Sequence, residues 1–206
     1  MMNKQKATFI GISLSILFCL LLYGVIEWLH VNRNIPYGNL TRDPNAIHES
    51  PKYIGLLSQL GMIFWFSTAG VLLFSYFIIN NILQDTIRRN FIGSALFLTL
   101  FLGIDDMFML HDELAHRGLR EEYFYSIYII WLLLTLIRFK HLIRQSLYIL
   151  ILLSCFLFGL SILIDKLITA AYLTEDMLKF AGLINWSFYW TSTCYFIIQN
   201  RTPTNK

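Results

Sequence analysis

Long apolar runs, each sufficient to cross a lipid bilayer, are the strongest constraint on the fold of this chain. A transmembrane helix needs about 20 consecutive, mainly apolar residues, because the hydrocarbon core is about 30 Å thick. Such runs recur along the 206 residues, of which 56% are hydrophobic and only 14% are charged. A soluble domain carries about 25% charged residues. The sequence therefore predicts an all-α, polytopic integral membrane protein and not an ordinary soluble fold.

Turn signals and charged residues divide the apolar sequence into about six transmembrane helices, which we expect to form one helical bundle in a single domain, residues 1–206. The predicted spans are about 8–30, 53–80, 91–117, 122–138, 147–167 and 175–198. Thr174 is a candidate N-cap for the sixth helix, because its hydroxyl could accept a bond from a backbone N–H of the first turn. No linker or internal repeat is visible in the sequence.

Basic residues predict the orientation of the chain. With six spans both termini lie on one side of the membrane, and the positive-inside rule makes the basic side the cytoplasm. We therefore expect an integral plasma (inner) membrane protein with both termini cytoplasmic, and only Asp85 among the 13 acidic residues then lies on the cytoplasmic side. The net charge of +3 is too small to indicate nucleic-acid binding. The basic residues on the cytoplasmic side are Lys4, Lys6, Arg88, Arg89, Arg138, Lys140, Arg144, Arg201 and Lys206.

One stretch of the third span, FLGIDDMFMLHDELAH at residues 101–116, is unusually rich in ionisable side chains. On a continuous helix, at about 100° per residue, five of the six share one side and His111 points away. Acidic side chains inside hydrocarbon are costly and are by default functional. We predict an outward-facing polar chamber that this helix lines together with Glu27, Gln59, Asp165 and Asn185 from other spans. The six ionisable residues are Asp105, Asp106, His111, Asp112, Glu113 and His116.

Asp105 and Asp106 are the predicted catalytic residues. They lie about fourteen residues into the third span, about 21 Å from its inner end, and so remain within the hydrocarbon core. Two adjacent carboxylates in a medium of low dielectric do not both ionise easily, which suits a general acid/base or a proton carrier. The alternative is structural: the carboxylates pair with Lys166 or bond to polar side chains, and so hold helices together.

Four residues are predicted to bind a divalent metal ion. Asp112 and His116 are four residues apart, so that both side chains could reach one ion from the same helix. Glu27 and His30, three residues apart on the first span, would complete a mixed oxygen and nitrogen site. Asp105 lies about 10 Å along the axis from Asp112, too far to share that ion. The alternatives are a surface hydrogen bond for the first pair and an interfacial role for His30.

Asp112 and Glu113 lie near the C-terminal end of the predicted third helix, where the helix macrodipole disfavours anions. A compensating cation is therefore expected close to them. The metal ion is one candidate, and the others are the side chains of Arg117, Arg120, Lys166 and Lys179.

Three classes of function fit these features. The first is a metal-dependent intramembrane hydrolase or transferase that acts on a lipid-like substrate. The second is a non-catalytic sensor or assembly subunit that meets a partner membrane protein. The third is a small proton-coupled transporter, against which the lack of internal repeats counts. The sequence contains no G-x-S-x-G, H-E-x-x-H, P-loop or C-x-x-C motif that would decide between them.

Overall fold

The computed structural model describes residues 20–21, 23–41, 55–110, 121–168 and 172–199. These residues are 92% helical and include no strand, which confirms the all-α prediction. The chain divides into two compact units, Met1–Leu56 and Leu57–Lys206, each with its own helices. The organisation into a single membrane domain stays a prediction.

The first unit contains the described part of the predicted first span. Residues 20–33 are helical, apart from residue 22, which is not described. This helical stretch ends at Asn34, which has a left-handed backbone (φ 52°). Asparagine is one of the few residues that commonly end helices in this conformation. The short helix α1 (Tyr37–Thr41) follows after a three-residue connection, residues 34–36.

The second unit is a bundle of α-helices joined by short turns. The boundaries of α4 and α6 agree with the predicted spans to within one residue, whereas the ends of α3 and α7 differ from them. The described helices are α2 (Leu56–Ile78), which continues as a π-helical turn (Ile79–Leu83), α3 (Thr86–Phe108), α4 (Glu121–Arg138), α5 (Lys140–Arg144), α6 (Tyr148–Leu167) and α7 (Tyr172–Gln199).

Three segments of the described chain are long and apolar enough to cross a membrane: Leu56–Leu83, Thr86–Phe108 and Tyr148–Leu167. In addition, Tyr123–Arg138 forms a shorter apolar helix. In the most apolar 18-residue stretch of α3, half of the residues are buried within the protein, whereas in that of α6 only 17% are buried. The side of α6 that faces away from the protein therefore exposes large apolar side chains. A continuous apolar surface of this kind is unfavourable in water. The chain is a membrane protein with at least these three candidate spans, and six spans remain a prediction.

Helix α3 begins earlier than predicted because Asp85 caps it. The Asp85 carboxylate accepts hydrogen bonds from the backbone N–H groups of Ile87 (3.0 Å) and Arg88 (2.9 Å). A capping aspartate satisfies donors that the first turn leaves unpaired. The turn between α2 and α3 is therefore short and includes Gln84, whose backbone is left-handed (φ 52°). Residues 81–90, which lie between the second and third predicted spans, are thus mostly helical.

Helix α3 also ends earlier than predicted. We expected one continuous helix as far as residue 117, but the structure ends α3 at Phe108 because Met109 adopts a left-handed backbone (φ 47°). This conformation is uncommon for a residue with a side chain, and it breaks the regular helical path. The angular arrangement calculated for a continuous helix therefore holds for Asp105 and Asp106 only. Residues 111–120 lie outside the described part of the chain.

Helix α7 forms the centre of the second unit. The side chains of Trp186, Tyr189 and Trp190 are at most 1% exposed. Trp186 packs against Trp65 of α2, with 6.1 Å between ring centroids, and Trp190 packs against Phe91 of α3 at 5.3 Å. The opposite side of α7 is exposed at Phe188 and Tyr195, so this helix has one face in the protein interior and one at the surface. Predicted as its cap, Thr174 instead lies inside α7.

Hydrogen bonds between small polar side chains connect the helices of this unit. Such bonds are a common means of association inside membranes, where lipid offers no alternative partner. They link α7 to α2, α3 and α6, and they link α3 to α4. The bonds are Thr68 Oγ1 to Ser187 Oγ (2.8 Å), Trp186 Nε1 to Thr99 Oγ1 (3.1 Å), Ser154 Oγ to the Gly182 carbonyl (2.8 Å), Trp131 Nε1 to Ser94 Oγ (3.0 Å) and Ser94 Oγ with Thr135 Oγ1 (2.7 Å).

The close approach of α6 and α7 depends on Gly182. A Cβ atom there would lie 3.0 Å from Cδ1 of Phe158 and 3.3 Å from the Ser154 carbonyl oxygen, whereas a Cβ at Gly159 would meet nothing within 4 Å. We expect Gly182→Leu to lower the free energy of unfolding by about 1–3 kcal/mol through overpacking. Gly159→Leu on α6 is the matched control and should not destabilise. Thermal unfolding in detergent measures both, and equal melting temperatures would contradict this packing.

Candidate functional site

The two adjacent carboxylates near the end of α3 point toward different helices. Successive side chains on a helix diverge by about 100°, so Asp105 and Asp106 cannot share one neighbour on the same side. Asp105 is 5% exposed, and the side chain of Asp106 is 16% exposed. The structure therefore provides two separate carboxylate environments at this level of the bundle.

Asp106 is held by two donors from two other helices. The Lys179 ammonium on α7 donates to Oδ1 of Asp106 at 2.5 Å. The indole N–H of Trp65 on α2 donates to Oδ2 at 3.2 Å. Both carboxylate oxygens thus accept a hydrogen bond, and one of these bonds is charge-assisted. This single side chain connects α2, α3 and α7.

Asp105 faces α4 instead. The phenol of Tyr128 lies close enough to the Asp105 carboxylate for the two groups to interact electrostatically. Tyr128 is itself only half-buried, so it can reach from the helix surface toward the interior. A buried carboxyl group beside a phenol combines two groups that can each hold or release a proton. This is the arrangement in the described chain that comes closest to acid–base chemistry.

Two lysines were considered above as partners of the third-helix acids. The sequence analysis named Lys179 as a possible compensating cation for Asp112 and Glu113. In the structure, Lys179 contacts Asp106. Lys166, the partner named in the structural interpretation, lies over the ring of Tyr125, with its Nζ 5.9 Å from the ring centroid. That distance is within the range of a cation–π interaction.

Three other residues that were predicted to line the polar chamber belong to the second unit. Gln59 is exposed on α2, and Asp165 is exposed near the end of α6. Asp165 acts electrostatically on Glu175 in the first turn of α7. Asn185 donates its amide to the carbonyl of Ala181 on its own helix, at 2.8 Å. The outward-facing chamber that these residues were expected to line stays a prediction.

Glu27 and His30 form a small cluster with Tyr37 in the first unit. The Tyr37 hydroxyl donates to both Glu27 oxygens, at 3.0 and 3.1 Å, and its ring stacks on His30 with 3.8 Å between centroids. The hydrogen bond to Glu27 raises the pKa of Tyr37, so the phenol keeps its proton and continues to donate. Nδ1 of His30 lies 2.9 Å from the Ile35 carbonyl oxygen. If Nδ1 carries the proton, Nε2 presents a lone pair, as in many metal-bound histidines.

The predicted metal site is only partly covered by the structure. Across the described ranges, no group of three or more His, Cys, Asp and Glu residues is arranged to hold a metal ion. Asp112, Glu113 and His116 lie outside the described residues. The divalent metal ion therefore stays a prediction.

The sequence interpretation did not single out Trp65 and Tyr128 as parts of the site. A partial signal exists for Trp65, because a buried indole N–H requires an acceptor. A weaker signal exists for Lys179, because a cation on an apolar helix usually has a carboxylate partner. No sequence signal distinguishes Tyr128 from the other tyrosines of α4.

The chain matches the family described as Domain of unknown function (DUF8692) over residues 13–193. It belongs to this family. No curated protein and no solved structure matches the chain. Trp65, Asp105, Asp106, Tyr128 and Lys179 all lie within the matched region. The candidate site is therefore part of the DUF8692 domain itself and not of an appended segment.

The ion pair between Asp106 and Lys179 should contribute to stability. We expect Asp106→Asn and Lys179→Gln each to lower the melting temperature, because each leaves a half-buried charge without its partner. The double variant should lose less than the sum, with a coupling energy of about 0.5–3 kcal/mol. Asp176→Asn, at an exposed position on the same helix as Lys179, is the control and should change stability by less than about 0.5 kcal/mol. Additive losses in thermal unfolding would show that the pair does not couple the helices.

Proposed function

We propose that this protein is a membrane-embedded hydrolase or transferase that acts on a lipid-like substrate from the outer leaflet, with Asp105 as its general acid/base. The observation that carries this proposal is the burial of Asp105 beside the Tyr128 phenol, at the meeting of two helices. A buried acid inside a membrane protein is costly, and such groups mark functional sites more often than other buried residues do.

The different surroundings of the two carboxylates support a division of roles. Asp106, bound by Lys179 and Trp65, fixes the end of α3 and is a positioning residue. Asp105 has a protonatable neighbour in Tyr128 and is the residue suited to proton transfer. Enzymes commonly use two nearby carboxylates in this way, with the environment of each setting its role. The sequence predicted both aspartates as catalytic residues. We now propose that Asp105 is catalytic and that Asp106 is a positioning residue.

The proposal includes a divalent metal ion bound by Asp112 and His116, with Glu27 and His30 as further ligands. Carboxylate oxygens and imidazole nitrogens are ligands suited to zinc and similar ions. An ion at this position would supply Lewis-acid activation of water or of an ester or phosphoryl oxygen. The Nδ1 contact of His30 to a backbone carbonyl supports this role, because it leaves Nε2 as the ring nitrogen with the lone pair.

A non-catalytic sensor or assembly subunit is the second candidate. The contacts of Asp106 favour it, because an acid that joins three helices is explained by helix association alone. In this case the outer end of the bundle would meet a partner membrane protein. The transporter hypothesis gains no support from the described geometry.

The two candidates differ in the effect of Asp105→Asn. For the enzyme we expect a loss of turnover of at least about 100-fold with little change in melting temperature, because only proton transfer is removed. The assay uses protein reconstituted in vesicles with phospholipids, sphingolipids and isoprenoid phosphates as substrates. Asp176→Asn is the control and should keep full activity. If no lipid is turned over and Asp105→Asn only changes the melting temperature, the subunit hypothesis is the better account.

Metal content of the same purified proteins tests the second part of the proposal. His116→Ala should lose the bound ion, whereas Asp105→Asn should keep it because the two sites are separate along the chain. Elemental analysis after dialysis measures the difference. A metal-free wild-type protein that still turns over lipid would remove the metal from the mechanism and leave the role of Asp105.

The proposed orientation has six spans and cytoplasmic termini in the plasma (inner) membrane. Its support is the distribution of basic residues, which leaves Arg138, Lys140 and Arg144 in one turn on the cytoplasmic side. Reporter fusions after Val31 and Asn200 should report outside and inside, respectively. Matching readouts from the two fusions would reject the six-span topology.

A further inference from the structure

An open groove of about 630 Å³ runs between α3 and α4, at the end of the bundle away from Asp105. It begins at Asn90 and Arg138 and extends past Ser94 to Phe97 and Ile127. From Arg138 to Ile127 is about 16 Å along the helix, which is about half of the 30 Å hydrocarbon core. The groove therefore has the length of a single leaflet.

The walls of the groove are apolar and uncovered. Phe97, Ile127, Ile130 and Leu134 each expose more than half of their surface. The polar side chains in the groove satisfy one another: Ser94 bonds to Thr135, and the Trp131 indole N–H donates to Ser94. A ligand that fits this surface needs an apolar chain and no hydrogen-bonding groups along most of its length.

One end of the groove carries a positive charge. Among the described residues, no carboxylate pairs with the Arg138 guanidinium, which lies 5.6 Å from the centroid of the Phe139 ring. By contrast, Arg88 on the neighbouring helix already pairs with Asp85. Asn90 also lines the groove, and because its Oδ1 accepts from the Arg89 guanidinium at 3.4 Å, its amide N–H groups remain as donors. This end thus provides a cation and an amide for an anionic group.

We propose that the groove binds an anionic phospholipid, with its phosphate at Arg138 and one acyl chain along Phe97, Ile127 and Leu134. A cationic end and an apolar slot of one leaflet's length match the charge and the length of such a lipid. The basic end is the one assigned to the cytoplasm, whose leaflet carries the anionic lipids that attract juxtamembrane arginines. On α3 the groove ends at Phe97, about 12 Å before Asp105, whereas on α4 its last lining residue, Ile127, is next to Tyr128.

Lipid binding to the delipidated full-length protein in detergent tests the headgroup contact. Native mass spectrometry would compare phosphatidylglycerol with phosphatidylcholine. We expect the wild type to prefer phosphatidylglycerol and Arg138→Gln to bind it about fivefold more weakly, the factor that one basic residue contributes beside anionic lipid. Arg144→Gln is the matched control, because Arg144 is exposed on α5 and does not line the groove. Equal losses in the two variants, or no preference in the wild type, would overturn the proposal.

The acyl-chain contact is tested by filling the groove. Ile130→Trp places a larger side chain on its exposed wall and should weaken the binding of both lipids, without lowering the melting temperature of the lipid-free protein. Unchanged binding in this variant would show that the lipid lies elsewhere. Inorganic phosphate is the control for the headgroup alone, and we expect no detectable binding because it lacks the acyl chain. Phosphate binding that also depends on Arg138 would show an anion site and reject the lipid site.

Discussion

The structure depends on one constraint: polar groups inside the bilayer must find their partners within the protein. Lipid chains offer neither donors nor acceptors, so each buried hydroxyl and indole N–H fixes which faces of two helices meet. Helix α7 meets this constraint on three sides, through Ser187 to α2, Trp186 to α3 and the Gly182 carbonyl to α6. Its aromatic side chains then fill the space between these bonds. Helices α2, α3 and α6 are thereby joined to α7, and α4 is joined to α3.

Most of the helices could be predicted from the sequence, but their arrangement could not. Apolar runs bounded by charges gave α4 and α6 to within one residue, because length and hydropathy are local properties. The central position of α7 is not a local property, and its moderate hydropathy gives no sign of which helices surround it. The break at Met109 also lacks a signal, because left-handed residues other than Gly and Asn are rare. The start of α3 did have a sequence signal, because Asp85 is a residue type that is favoured at helix N-caps.

The candidate site was predictable to a similar extent. The cost of a carboxylate in hydrocarbon identifies Asp105 and Asp106 as important without any knowledge of the fold. This cost does not identify the partners of the two carboxylates. The rotation of each neighbouring helix about its axis decides which of its side chains contacts them. Lys166 and Lys179 both lie toward the same end of the bundle in the six-span arrangement, and only the packing of α7 brings Lys179 to Asp106. The same rotation places Tyr128 near Asp105.

The pair of helices α3 and α4 carries both the groove and the residues that we propose for acid–base chemistry. Ile127 lines the groove, and the next residue, Tyr128, reaches toward Asp105. Between them and the basic end, the bonds of Ser94 to Trp131 and Thr135 tie α4 to α3. A rigid helix transmits a displacement along its whole length, so sliding of α4 against α3 would change the width of the groove and the contact of Tyr128 together. The hydroxyl and indole bonds between α3 and α4 oppose such sliding and so favour one relative position of the groove walls and of Tyr128.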